Sequence, residues 1–213
     1  MPIRIQAGDG VPILKQLDSS SGIEPGSVLF DLGHGKEPLA LSWYKQMASN
    51  WCWAASAQMV LRFMGFTSVK QCDIANIMGN RRDCCQPLGP VPESGPIVYN
   101  HACDAADVTR VYKDGWNVDS VAQEGVLPFE MLEQEINEQR RPVEVGIQWA
   151  HGKGRHLVVI YGCQLNDANE QLLHVRDPLP DYCEGQVLYD ELMNSYLGQG
   201  TWIYSWSAIA KSE

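Results

Sequence analysis

The chain has 213 residues, enough to bury the core of one large domain or of two small lobes sharing a core, and nothing in it demands a second domain. Its formal net charge of -10 sets long-range repulsion against phosphate backbones and anionic membrane surfaces, so neither nucleic acid nor membrane is expected as a partner. No apolar run approaches a bilayer span and MPIRIQAGDG lacks the pattern of a signal peptide, yet seven cysteines point to disulfides and a destination outside a reducing cytosol. The expectation is a protein secreted or delivered into a host or competitor cell, its leader removed before this numbering begins or its export needing none.

Residues 1–40 read as short extended pieces broken by Gly, Pro, Asp and Ser, a loosely structured N-terminal arm ahead of one domain over 41–213. Over 52–64 the apolar residues Trp53, Ala57, Val60, Leu61 and Met64 recur at helical spacing, with Ser49 or Asn50 as N-cap and Gly65 as the stop. A second helix is expected over 69–78, then a Cys/Pro/Gly-rich loop over 80–96, then a third helix over 128–140 that begins at a proline and ends on two arginines. From about 141 the chain changes character. VEVGIQW, HLVVIYGC, QLLHVRD and TWIYSW are β-branched and aromatic runs separated by turn residues, so strands follow. The expected fold is α+β, with a helical lobe over about 41–140 packed on a mainly antiparallel sheet lobe over about 141–213.

Within "QMASNWCWAASAQ" Cys52 stands in the first turn of the expected helix, where unpaired N–H groups and the helix dipole favour negative charge on sulfur. A nucleophilic cysteine also needs a base and an orienter for it. His156 opens the run HLVVIYGC, and the turn signal LNDANE makes that run and QLLHVRD a hairpin. With a two-residue turn at Asn166 and Asp167, His156 falls opposite Asp177, and any even-length turn keeps both on one face. Gln46 lies six residues before Cys52, where its amide can join the Cys52 backbone N–H as an oxyanion hole. Trp51, Trp53 and Arg155, which flank the nucleophile and the base, are candidates to wall a substrate cleft. Taken singly, each residue has a plainer reading: a small buried thiol, a strand-end histidine, an Asp-Pro turn and a solvated glutamine. His174 alternates with Leu173 and Val175 and reads as packing, and His151 is the alternative base.

The order Gln46, Cys52-Trp53 at a helix start, His156 at a strand start and Asp177 after the next strand resembles the papain-like cysteine proteases. Asn50-Trp51 replaces the residues usual before the nucleophile, and Asp177-Pro178 stands where plant-type papains carry Asn. Those departures resemble compact bacterial branches: the avirulence proteases of plant pathogens, which QCDIAN followed by Cys84-Cys85 also resembles, and the bacteriocin-processing peptidases that cut after Gly-Gly. The resemblance covers roughly 43–207. It implies Cys52 as nucleophile, His156 as base, Asp177 as orienter, Gln46 as oxyanion donor, and a protein or peptide substrate, with an inhibitor or immunity protein as a further partner.

Cys72, Cys84, Cys85 and Cys103 match no zinc-finger spacing, so no metal or other cofactor is expected. Adjacent cysteines seldom bond each other, which leaves 72–84 with 85–103, or 72–85 with 84–103, and Cys163 with Cys183 as a third candidate bridge. Two other functions fit the same residues: a transglutaminase or deamidase using the triad on glutamine side chains, and a disulfide-stapled binding module in which Cys52 merely packs.

Overall fold

The computed structural model describes residues 37–85, 99–152, 154–182 and 185–212. The expected arm over 1–40 therefore lies almost wholly outside the described residues, as do Cys183 and residues 86–96 of the cysteine-rich loop. The rest is α+β, as its patterning predicts.

Helix α1, Cys52–Phe63, is buried along its length from Cys52 to Leu61, and its small alanines let it lie close against the sheet. Its N-cap is Trp51, which offers no side-chain acceptor, rather than Ser49 or Asn50. Both of those side chains are instead engaged by Asn100: Asn50 Nδ2 donates to its carbonyl at 3.0 Å and Ser49 Oγ accepts from its amide at 2.8 Å. Helix α2, Gln71–Gly79, begins two residues later than expected and ends where Asn80 turns left-handed at φ 47°. Gln71 is buried beneath the 45–47 loop, donating to the Lys45 carbonyl and accepting from the Met47 N–H, both at 2.8 Å.

Helix α3, Ala105–Trp116, has no counterpart in the expected elements. Its buried residues Val108, Val111 and Tyr112 follow i, i+3, i+4 spacing, and Asp104 with Asp107 forms a capping box at its start. That signal is legible in DAADVTRVYKDGW, but charged residues and Gly115 dilute it. The helix expected over 128–140 is shorter, with an α-helical turn, α4, over Phe129–Glu133 passing into a π-helical turn over Gln134–Glu138. Glu135 in that turn is fixed by Arg141, with two contacts of 2.9 Å.

Six strands, β1 Val118–Glu124, β2 Val143–Trp149, β3 Arg155–Leu165, β4 Gln171–Arg176, β5 Gly185–Leu188 and β6 Gly200–Lys211, form one antiparallel sheet in the order β1-β6-β2-β3-β4-β5. A short helix α5, Tyr189–Ser195, joins β5 to β6. β1 comes from residues ahead of 140 and pairs with the last strand, so the chain's two halves share the sheet. α1 packs on β3, where the buried Ser56 hydroxyl donates to the Leu157 carbonyl at 3.3 Å.

The β3–β4 hairpin differs from expectation in an instructive way. Its ladder closes at Leu165↔Gln171, so the turn spans 166–170, an odd length. That register alone would send His156 and Asp177 to opposite faces. A bulge between Ile160 and Gly162 shifts the pairing by one, to Val159↔Arg176, and restores the parity that an even turn would have supplied. The carbonyl of Tyr161, the extra residue, accepts from the Leu39 N–H at 2.7 Å.

The cysteines pair only once among the described residues: Cys72–Cys85, between α2 and the loop after it. The accompanying 84–103 bridge does not form, and neither does the 72–84 with 85–103 alternative, since Cys84 and Cys103 are free. The Cys84 backbone is bound to the Asn76 side chain at 3.0 Å, whereas Cys103 faces a cleft beside Cys52. Cys163 is also free, buried in β3, and Cys183, its expected partner, lies outside the described residues.

Glu144 of β2 is fully buried, and burial pushes its carboxyl up from 4.5 to about 8 despite the opposing Tyr112 hydroxyl. The folded chain keeps this proton after the unfolded chain has released it. The contribution is therefore fully present below about pH 4.5 and is lost as pH rises through about 8. Glu144→Gln fixes the neutral form, so its urea midpoint is expected to fall less between pH 5 and pH 8 than that of the unaltered protein. Identical falls in the two proteins would refute this.

Candidate active site

α1 points its N-terminus into a cleft of about 430 Å³ lined by Gln46, Cys52, Trp53, Trp149, Arg155 and His156 among others. No side chain caps α1 and its first turn holds no acidic residue, so its leading N–H groups stay available to an anion at Cys52. Trp53 and Arg155 line the cleft as expected of them, but Trp51 does not. Trp51 is turned into the core.

The two tryptophans around Cys52 share a task that the sequence reading did not foresee. Trp51 Nε1 donates to the Tyr99 carbonyl at 2.7 Å and Trp53 Nε1 to the His101 carbonyl at 3.1 Å. With the Asn50–Asn100 contacts they clamp the 99–103 segment beside the helix start, so that it forms one wall of the cleft and brings Cys103 to it.

From the sheet side, β3 delivers His156, which is 4% exposed. Its Nε2 lies 2.7 Å from Asp177 Oδ1, leaving Nδ1 for the Cys52 side. Asp177 is wholly buried and fully used. Oδ1 also accepts from the Leu179 N–H at 2.8 Å, and Oδ2 accepts from the Tyr196 hydroxyl at 2.9 Å. Burial by itself would strip the proton from His156. The hydrogen bonds to Asp177 and Cys52, with their negative charges, outweigh it and raise the imidazole from 6.5 to about 9. An imidazolium is thus held against the Cys52 sulfur through neutral pH.

Trp149 of β2 stacks with His156 at 5.6 Å and with Tyr196 at 6.2 Å, which shields the His156–Asp177 pair. Neither residue was singled out from the sequence. Trp149 was findable, because Ile147 pairs with His156 and a strand's period of two places Trp149 on the same face. Tyr196 depends on a tight hairpin closed by reciprocal 2.8 Å bonds with Gly200. A Cβ on Gly200 would lie 2.6 Å from Ile147 Cγ2, so the close approach requires glycine.

The loop carrying Gln46 is tied to Asp177 from the other side. Trp43 Nε1 donates to the Asp177 carbonyl at 2.6 Å and Gln46 N–H to the Pro178 carbonyl at 3.1 Å. The Gln46 side chain lines the cleft, but Nε2 donates to the Ala48 and Ser49 carbonyls, each at 2.9 Å. His174 stacks edge-on against Tyr161, away from this site, and His151 lies in a short 3₁₀ turn between β2 and β3, its side chain outside the described residues. Cys72, Asp73 and Cys85 come together, but the two sulfurs are bonded to each other and offer no thiolate to a metal.

The Peptidase_C39 like family model matches residues 38–208. Among solved structures, the fold is similar to the peptidase domain of Streptococcus ComA, a bifunctional ABC transporter involved in quorum sensing. The TM-score is 0.53 at 12% identity, covering 79% of this chain and 97% of that one. It is also similar to a double glycine motif protease from an AMS/PCAT transporter, solved in complex with the leader peptide, with TM-score 0.50, 17% identity and coverage of 80% and 93%. No curated protein matches the sequence. At these identities the structural likeness is one of fold, and the family follows from the match over most of the chain: this protein belongs to the Peptidase_C39 like family and is a papain-like cysteine peptidase.

Proposed function

We propose that this protein hydrolyses peptide bonds within a polypeptide through Cys52, His156 and Asp177. The observation that carries the reading is the buried 2.7 Å contact between His156 Nε2 and Asp177 Oδ1, with the other face of the charged imidazole toward Cys52. The Cys52 thiolate adds to the scissile carbonyl carbon, and the oxygen that gains charge meets the N–H groups at the start of α1. The C–N bond breaks as His156 gives its proton to the departing amine, leaving a thioester on Cys52. Water then attacks the thioester, His156 takes a proton from it, and the acid product leaves with Cys52 restored. Gln46 joins the oxyanion site by releasing one of its two loop carbonyls, since in the resting arrangement Nε2 is bound to both. A leader-type peptide is a reasonable first substrate, given the ligand of the similar double glycine motif protease.

Export fits the same reading. The Cys72–Cys85 disulfide and the number of cysteines suit an oxidising compartment, with action as a secreted protease, effector or toxin. Incubating the protein with a peptide library and, separately, with a glutamine-rich protein tests hydrolysis against amide chemistry on side chains. New amino termini without ammonia are expected. Ammonia release without chain cleavage would replace this reading with a transglutaminase or deamidase.

A further inference from the structure

Beside the catalytic cleft lies a second cavity of about 430 Å³. The two share Cys103, Arg155 and Leu157, so a side chain of a peptide lying across Cys52 can enter it without leaving the cleft. Its walls are apolar and aromatic. Leu157 and Ile203 line it together with Gly146 and the rings of Tyr204 and Trp206, whose centroids are 4.9 Å apart. A Cβ on Gly146 would stand 3.2 Å from Tyr204 Cβ and close part of the space.

Two acidic residues line this cavity. Asp104 comes from the start of α3, and Glu124 from the end of β1. Among the described residues Glu124 forms no ion pair, and Asp104 spends Oδ1 on the Asp107 N–H at 3.1 Å. Arg155 is the one cation lining the cavity, and its Nε faces Gln148 Oε1 at 3.4 Å rather than either carboxylate. The Cys103 thiol at the junction of the two cavities registers the local field. Burial pushes it far above its ordinary range, and the neighbouring acids Asp107 and Asp104 push it further in the same direction.

A space lined by apolar and aromatic residues together with two acids suits a long aliphatic stem carrying a positive head, which gains from wall contact, from the aromatic faces and from the charges together. Glycine would leave it empty, and an acidic side chain would be repelled. Resting on the peptidase reading above, we infer that this protein selects peptides with lysine or arginine close to the scissile bond, the stem against Leu157, Tyr204 and Trp206 and the head between Asp104 and Glu124.

The test compares cleavage of matched quenched-fluorescence peptides that carry Lys, Arg, Leu, Gly or Glu beside the scissile bond. It uses the unaltered chain and the double variant Asp104→Asn/Glu124→Gln, with Cys52 counted in each by stoichiometric alkylation. Asn retains the N-cap of α3, so the helix start survives. The Lys-to-Leu ratio of kcat/KM is expected to be at least about tenfold in the unaltered protein and to approach one in the double variant. Cleavage without a basic preference, or a preference that the double variant leaves in place, overturns this inference while the peptidase reading stands. Failure to cleave any peptide by a chain whose Cys52 alkylates fully overturns that reading and this inference with it.

Discussion

Cys52→Ala is expected to lower peptide hydrolysis by about 10⁵-fold or more and to abolish labelling by an epoxide inhibitor, while the protein stays folded. The size of the loss follows from the chemistry. Without the sulfur no thioester forms, and His156 and the α1 N–H groups can act only on water and a bound carbonyl. Folding should survive because Cys52 is a small residue at the edge of the core, and alanine keeps the helix start and removes a single sulfur. Rates on a peptide library, inhibitor adduct mass and a urea midpoint together check this. Hydrolysis retained to a tenth of the original rate, or full labelling of the variant, would sink the assignment of Cys52.

Asp177→Ala is expected to lower kcat/KM by about 10²- to 10⁴-fold, whereas Asp177→Asn is expected to stay within about tenfold of the unaltered protein. Alanine leaves three donors without an acceptor: the buried His156 Nε2 and Tyr196 hydroxyl, and the half-buried Leu179 N–H. Each such loss costs roughly 1–3 kcal/mol and frees the imidazole to turn. Asparagine preserves the geometry. Its carbonyl accepts from His156 and Leu179, and its amide meets Tyr196, whose hydroxyl can rotate to accept. What asparagine removes is charge. The Asp177 carboxylate helps hold the imidazolium to about pH 9, so without it the proton is lost at lower pH. The alkaline limb of the pH–kcat/KM profile, near 9 in the unaltered protein, is expected to move downward by a unit or more in Asp177→Asn. A limb that does not move, or an Asn variant as damaged as the Ala variant, contradicts this account of Asp177. Tyr196→Phe removes a hydrogen bond without removing the charge, so its effect should lie below both.

These outcomes depend on residues that differ in how legible they were. Cys52 at a helix start and His156 at a strand start announce themselves through periodicity and turn residues, which are local properties of a few neighbouring side chains. So do α1, α2 and most strands. The His156–Asp177 relation was inferred from hairpin parity, and there the expected even turn was wrong. An odd turn and a bulge at Tyr161 act together, and the bulge is stabilised by the Leu39 N–H from far away in the chain. Helix α3 was obscured because its narrow apolar stripe is diluted by charges on the solvent side.

Local residue order carries the α+β class, the helix that begins at Cys52 and the likeness to papain-like enzymes, because patterning of one face against water is written in neighbouring side chains. The remaining features come from the packing of distant segments. That packing chose Cys72–Cys85 over the other bridges, turned Trp51 and Trp53 into clamps on the 99–103 segment, and brought Trp149 and Tyr196 around the His156–Asp177 pair. It also brought Asp104 and Glu124 to the lining of one cavity. These are contacts between segments remote in sequence, settled by how helices and strands close on one another, and no local propensity encodes them.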